Sequence, residues 1–480
     1  MKRPWTILVY LSSDNSLSTE MVWSLQEIQR AGLDDEVAVL AQFDSPVLGV
    51  GTVRFDFSGL QGEVPYLPVE QLRLSDFVVR TWAEATAARG VLLGPEARVI
   101  PVPVAENFAA PETLMRFLRE AMARCPAEQL FLVLSGFGNG FTAGMFQDDH
   151  PGAQMSLPQL ATALASAGTI DLLGLDACLL GMVELAAELR GTVKYLVASA
   201  GTTPISGWPY YQILSVIKAQ PQFPAVSVGQ AVLREFLDFY EDYAIAGVSV
   251  DQALIDVEAS AAVEVAVAQL VAALTTEQSD VLTLRSELVN AMVLAHYNSQ
   301  SYRYEQHADL WDFCYCLEQQ TTDVAVRAAC AAVILSVQGC VVRAGSAGVA
   351  FQHSHGLSIY FPWAMSQAWL ISEYKGLAFS QRTKWGAFLG AYVTATQRVM
   401  RGPQFSGQAW IFPPDWYFTR DNPQLGSTRD NPQLGSTRDN PQLGSTRDNP
   451  QLGSTRDLTG TAGFVVPPVK NPPDHYYRES

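Results

Sequence analysis

The sequence is short of positive charge, of histidine and of long apolar runs, and each shortage excludes something. Lys and Arg number 31 against 48 Asp and Glu, a formal net charge of −17. Nucleic-acid binding and anionic membrane surfaces both draw on Lys and Arg. The charge therefore argues against either as a partner, and it is compatible with basic substrates; solubility is its plainer consequence. No apolar stretch reaches the roughly 20 residues of a membrane span. The start, MKRPWTILVYLSSD, has a basic opening and a short apolar run, but Asp14 follows soon and no small-residue cleavage site appears. These features read as a cytoplasmic protein.

Cysteine is sparse too, with six residues at 125, 178, 314, 316, 330 and 340. In a chain this long they do not make a disulfide framework, and buried thiols are the expected state. Cys314-Tyr315-Cys316 reads as a strand or one helical turn, and Cys330 lies in an Ala-rich helical run. There is no Cys-x-x-Cys pair, and His353 and His355 have no cysteine neighbour, so no zinc site is expected.

What is present is a globular composition, 48% hydrophobic and 16% charged over 480 residues, enough for two to three domains. Short runs rich in Val, Ile and Leu fall at 5–11, 37–43, 98–104, 130–135, 170–175 and 194–199. Helical patterns at 17–31, 75–88, 111–124, 156–167 and 179–190 separate most of them. This alternation predicts an α/β fold with a mostly parallel sheet covered on both faces. From 225 the pattern turns Ala-rich and helical, at 225–245, 258–275, 280–296 and 322–338. A strand at 356–362 and a helix at 379–399 follow. The reading is a core over 1–224 and a largely helical subdomain over 225–400 that lends a strand or two to the sheet.

Beyond an extension at 401–418, TRDNPQLGS is repeated four times without change at 419–454, with a partial unit to 457. One Leu, one Pro and one Gly per unit cannot bury a core, so the expectation is a disordered linker and, over 458–480, a mobile tail.

Two apolar runs end in small-residue turns, LFLVLSGFGNGF at 130–141 and IDLLGLDACLLGM at 170–182. Neighbouring parallel strands would bring both turns to one sheet edge, where open α/β sheets build their sites. A thiol in one turn, Cys178, calls for a base in the other. That position holds Phe137.

These segments, with WTILVYLSSDNSL (5–17), VAVLAQFD (37–44), VASAGTTPISGWPY (197–210) and HGLSIYFP (355–362), resemble the clostripain family of cysteine peptidases. The match runs in order over roughly residues 4–400. The resemblance implies a caspase-like three-layer α/β/α sandwich. It implies that Cys178 stands at the nucleophile, that Cys178 and Gly138 offer oxyanion-hole amides, and that Asp176 lines a pocket for Arg or Lys. A second family acid falls at Ser206 here, and the family's catalytic His falls at Phe137. Calcium, which clostripain needs, would look to Asp148 and Asp149, with Asp14, Asn15 and Asp44 capping turns nearby; two adjacent acids do not make a calcium loop, and no cofactor is expected. The residues themselves also allow Asp176 to be a helix N-cap, and Cys178 to sit at a helix start whose amides lower its pKa.

A free thiol is only a few per cent thiolate at neutral pH, and an amine leaves poorly without a proton. The favoured expectation is thus a pseudopeptidase that binds a peptide or protein, basic residues preferred. The alternative is an active endopeptidase with a displaced His, for which His150 is the nearest candidate. His296, His307 and His355 are read as packing or capping residues. A third possibility is redox chemistry at Cys178.

Overall fold

The computed structural model describes residues 2–32, 36–44, 52–58, 98–101, 106–149, 151–302, 306–363 and 368–400. The predicted helix at 75–88, the extension, the repeats and the tail lie outside these residues, as does His150.

Nine strands form one sheet: β1 (Arg3–Leu11), β2 (Val37–Phe43), β3 (Val53–Asp56), β4 (Arg98–Pro101), β5 (Ala127–Ser135), β6 (Ile170–Asp176), β7 (Val193–Ala198), β8 (Val250–Asp256) and β9 (Val341–Ala347). Their order is β9-β8-β7-β6-β5-β1-β2-β3-β4. The five central strands β7, β6, β5, β1 and β2 are mutually parallel. Antiparallel pairs close both sides, β3 and β4 beyond β2, β8 and β9 beyond β7. The central strands are the near-continuous apolar runs that a sheet covered on both faces requires.

Strand alternation divides the core in two. Leu8, Leu132, Leu134, Leu173 and Leu175 face a cluster with helices 111–124, 157–165, 183–189 and 260–274. Ile7, Val9, Phe131, Val133 and Leu172 face the opposite cluster, with helices 18–30, 210–219 and 225–241. The result is a three-layer α/β/α sandwich with a mostly helical C-terminal part.

The 225–400 part contributes β8 and β9, so the sheet runs through the 224/225 boundary. One predicted helix is corrected. Residues 280–296 open as the second strand of a hairpin, Thr275–Gln278 with Val281–Leu284, and the α-helix is confined to Val289–Asn298 after a 3₁₀ turn at Ser286–Leu288. Ser279 and Asp280 both take positive φ, 47° and 62°, the geometry of a two-residue hairpin turn closed by the Gln278–Val281 pair. Cys314 and Cys316 lie in helix Leu310–Gln320, and all six cysteines are free and buried. No helix among the described residues is long and apolar enough to cross a membrane.

Candidate active site

Register decides what meets at the sheet's C-terminal edge. Leu11 pairs with both Phe43 and Ser135, and Ser135 pairs with Asp176. The turns after β1, β2, β5 and β6 therefore emerge side by side. Between β5 and β1 the connections change direction, the switch point where such sheets form crevices. The Phe137 and Cys178 turns are neighbours there, as the paired pattern predicted.

The two turns are in backbone contact. A Cβ at Gly138 would fall inside the Cys178 carbonyl and 2.9 Å from the Cys178 amide nitrogen. Glycine is what permits this approach. The loop is then tied down: the Phe146 amide donates to the Phe137 carbonyl at 3.0 Å, and the Asn139 amide donates to the Gly144 carbonyl at 2.9 Å. Gly140, at φ 60°, opens a single helical turn, Gly140–Ala143.

Cys178 does not start a helix. Helix Val183–Leu189 begins five residues later, and Leu179 at φ 61° turns the chain first. The intervening amides are already engaged: Leu179 donates to the Gly201 carbonyl, and Leu180 and Gly181 donate to that of Ser199. The expectation that helix-terminal amides act on the thiol is corrected accordingly. The amide that meets Sγ is that of Thr203, at 3.2 Å, and Sγ lies 3.6 Å from the Thr203 carbonyl. Cys178 is fully buried, packed in a small cluster with Leu179, Ala200, Tyr302, Ala350 and Phe351.

Phe137 goes elsewhere. It is 4% exposed and belongs to the large cluster on the face of helices 18–30 and 210–219. Asp176 is on that same side, because strand alternation from Leu175 turns it there. Its Oδ2 accepts from Ser135 Oγ at 2.9 Å and from Tyr210 OH at 3.0 Å. Asp176 is thus a buried link between strand ends and helix 210–219, and it caps no helix. Ser206 is exposed and hydrogen-bonded to Tyr240 OH at 2.8 Å. The two positions have different tyrosine partners.

Two buried acids brace the Cys178 side. Asp251 accepts from the Gly201 amide at 2.8 Å, the Ala200 amide at 3.2 Å and Ser354 Oγ at 2.8 Å. Burial pushes its pKa up to about 6 against those bonds. Glu184 accepts from the Tyr360 amide at 2.9 Å and Tyr374 OH at 2.5 Å, and burial pushes it up to about 7. Sequence reading singled out neither acid, because only the fold brings residues 251 and 360–374 to the cysteine turn.

The histidines separate clearly. His296 is stacked between Phe361 and Trp363, both at 3.9 Å, and burial pushes its pKa down to about 3. His355 stacks on Trp311 at 4.0 Å and lies 3.3 Å from Asp309. His307 is the one that sequence reading undervalued: a Cβ at Gly140 would lie 2.5 Å from its Nε2, so the buried ring rests on the glycine loop. The strand pair Ser301–Tyr302 and His307–Asp309 carries it there, a placement no local pattern signals.

Asp148 meets Asp14 and Asp44, not Asp149, in a buried group in which one carboxylate oxygen of each lies within 4.8 Å of the other two. Three carboxylates at that spacing fit a hard cation in donor type, although calcium takes six to eight oxygens. Exposed Asp149 turns its carboxylate to Gln147, while its amide donates to the Asp14 carbonyl at 2.9 Å.

A family model, that of the clostripain family, matches residues 9–392. Among solved structures, a secreted C11 cysteine protease from Bacteroides thetaiotaomicron in complex with an irreversible peptide inhibitor superposes with a TM-score of 0.58 at 16% identity. The match covers 80% of this chain and 99% of that one. An inactive zymogen C11 protease from Parabacteroides distasonis gives 0.57 at 18% identity over the same shares. A second structure of a secreted B. thetaiotaomicron C11 protease, iotapain, gives 0.57 at 14% identity, again covering 80% and 99%. The sequence matches none of the curated proteins. The caspase-like expectation for the fold stands. The expectation of a cytoplasmic protein is overturned by these structural relatives, two of which are described as secreted.

Proposed function

The chain belongs to the clostripain family and has its cysteine-peptidase fold, and from that premise we propose that it is a silenced member, acting outside the cytoplasm by binding a peptide or protein segment. The observation that carries this reading is Phe137. The residue at the family's base position is an aromatic ring buried in the core cluster opposite the cysteine's own packing. No proton acceptor stands there for the thiol, and no donor for a departing amine; acid–base help of that kind is worth about 10²–10⁴-fold. The Gly138 and Cys178 turns keep the close approach that an oxyanion site needs. Basic residues are the favoured recognition element. Asp176 would reach one only by releasing Tyr210 and Ser135, so its part in specificity is weaker than that of an acid facing solvent.

A second reading, an active peptidase with a displaced base, draws on His307 against Gly140. One assay separates the two: hydrolysis of Arg- and Lys-amide reporters by wild type, Phe137→His, Phe137→His with Cys178→Ala, His307→Ala and His150→Ala. The silenced reading expects negligible wild-type turnover and recovery in Phe137→His that Cys178→Ala removes. Strong wild-type cleavage, lost in Cys178→Ala and in either His307→Ala or His150→Ala, would establish the active reading instead.

A further inference from the structure

On the side of the molecule built by residues 275–400 lies an open groove of about 640 Å³ between the 275–284 hairpin and helix Trp385–Met400. Val281, Leu282 and Leu284 form its wall, and Ala387, Ala391 and Ala395 its floor. The helix residues recur every four positions, so a single face of the helix floors the groove. Val281 is 63% exposed, and Leu282, Ala387 and Ala391 are only half-buried. An apolar wall left this open on a folded surface marks a place where something docks.

We propose that the groove holds the chain's own segment 401–418. This segment, RGPQFSGQAWIFPPDWYF, follows directly from the helix that makes the groove's floor. Gly402 and Pro403 are residue types that end helices and permit a reversal of the chain. From Met400 to Ala387 the helix is about 20 Å long at 1.5 Å per residue, while ten extended residues span up to about 33 Å. Trp410 therefore reaches any point along the groove. The segment carries two short aromatic-rich apolar runs, Trp410-Ile411-Phe412 and Trp416-Tyr417-Phe418, unlike the polar repeats that follow it. Its only charges, Arg401 and Asp415, complement the groove's only charges, Asp280 and Lys375. Tethering also gives the segment an effective concentration on the order of millimolar, which a second copy does not match at ordinary dilution.

The test is hydrogen exchange on the full chain, read at 405–418 and at 281–284. It compares wild type with Ala391→Arg on the floor, Val281→Arg on the exposed wall, and Trp410→Ala with Phe412→Ala in the segment. Docking predicts exchange at 405–418 slowed about tenfold or more in wild type, and that protection released by either groove variant. The segment variant should in turn release 281–284. Val281→Arg alters an exposed position, so it keeps the test valid if Ala391→Arg disturbs the helix. Free exchange at 405–418 in wild type, or protection untouched by both groove variants, would overturn the proposal. Protection that disappears on dilution would assign the groove to a second copy and overturn it equally.

Discussion

The turns after β5 and β6 lie side by side, yet they send their key side chains into different parts of the protein. Cys178 packs with Tyr302, Ala350 and Phe351 from the C-terminal part of the chain, and Asp251 and Glu184 hold the surrounding loops. Phe137 packs into the apolar cluster under helices 18–30 and 210–219, where Asp176 ties Ser135 to Tyr210. The Cys178 turn is thus supported by two buried acids, Asp251 from distant sequence and Glu184 from the helix that follows, and the Phe137 turn largely by apolar packing from the N-terminal half. The ring at 137 adds apolar burial to a face that is already apolar, and placing a histidine there means pulling an aromatic ring out of a core.

The largest expected effect concerns the acids on the cysteine side. Glu184 holds its proton in the folded chain up to about pH 7, whereas the unfolded chain releases it near 4.5. The folded state binds more protons between those values, so stability is full below about 4.5, falls as pH rises to about 7, and levels off above. A rise of that size corresponds to on the order of 3 kcal/mol. Glu184→Gln keeps an oxygen for Tyr360 and Tyr374 and should flatten the decline in urea midpoints between pH 5 and 8; an unchanged slope would show that the cysteine side is no more pH-sensitive than the other. Asp251, raised to about 6, contributes in the same direction over a lower window.

Next in size is Phe137→His, which should raise amide hydrolysis about 10²-fold if the ring can leave the cluster. Adding Tyr302→Ala, which loosens the cluster in which the cysteine is packed, should increase the gain further. No gain in either variant would mean that the two turns can no longer be brought into register.

A smaller effect, about tenfold, is expected for alkylation of Cys178 by a small haloacetamide in Tyr302→Ala alone, since access limits a buried thiol. The reaction should be followed by mass spectrometry on the Cys178 peptide. Equal rates would show that Tyr302 is not the seal.

The smallest is Ser206→Asp. An exposed acid–base pair is worth about 0.2–1 kcal/mol, so affinity for an Arg peptide should rise no more than about fivefold. A larger gain in calorimetry would place Asp176 nearer the same pocket than its bonds to Ser135 and Tyr210 imply.

Much of the fold was legible because the central strands write their burial directly. The Val37–Phe43 strand and the Pro111–Arg124 helix were read to the residue, the first from an unbroken apolar run, the second from Pro at its first turn. The misreadings are equally local in cause. Helix 179–190 was read from Leu and Ala spacing, but Leu179 to Met182 are claimed by the 199–201 loop and Ser358. The 280–296 helix failed on a Ser-Asp turn that tolerates positive φ.

What the sequence determined by itself is the family and the parallel sheet that puts the Phe137 and Cys178 turns at one edge, because periodicity and short motifs are carried by neighbouring residues. What only the tertiary structure decided is where those side chains go. Strand alternation turned Asp176 away from the edge and into a bond with Tyr210. Contacts across 50 residues or more put Tyr302 in the Cys178 cluster, His307 on Gly140 and Asp251 behind Gly201. Such contacts depend on the register and stacking of elements far apart in the chain, and no window of sequence records them.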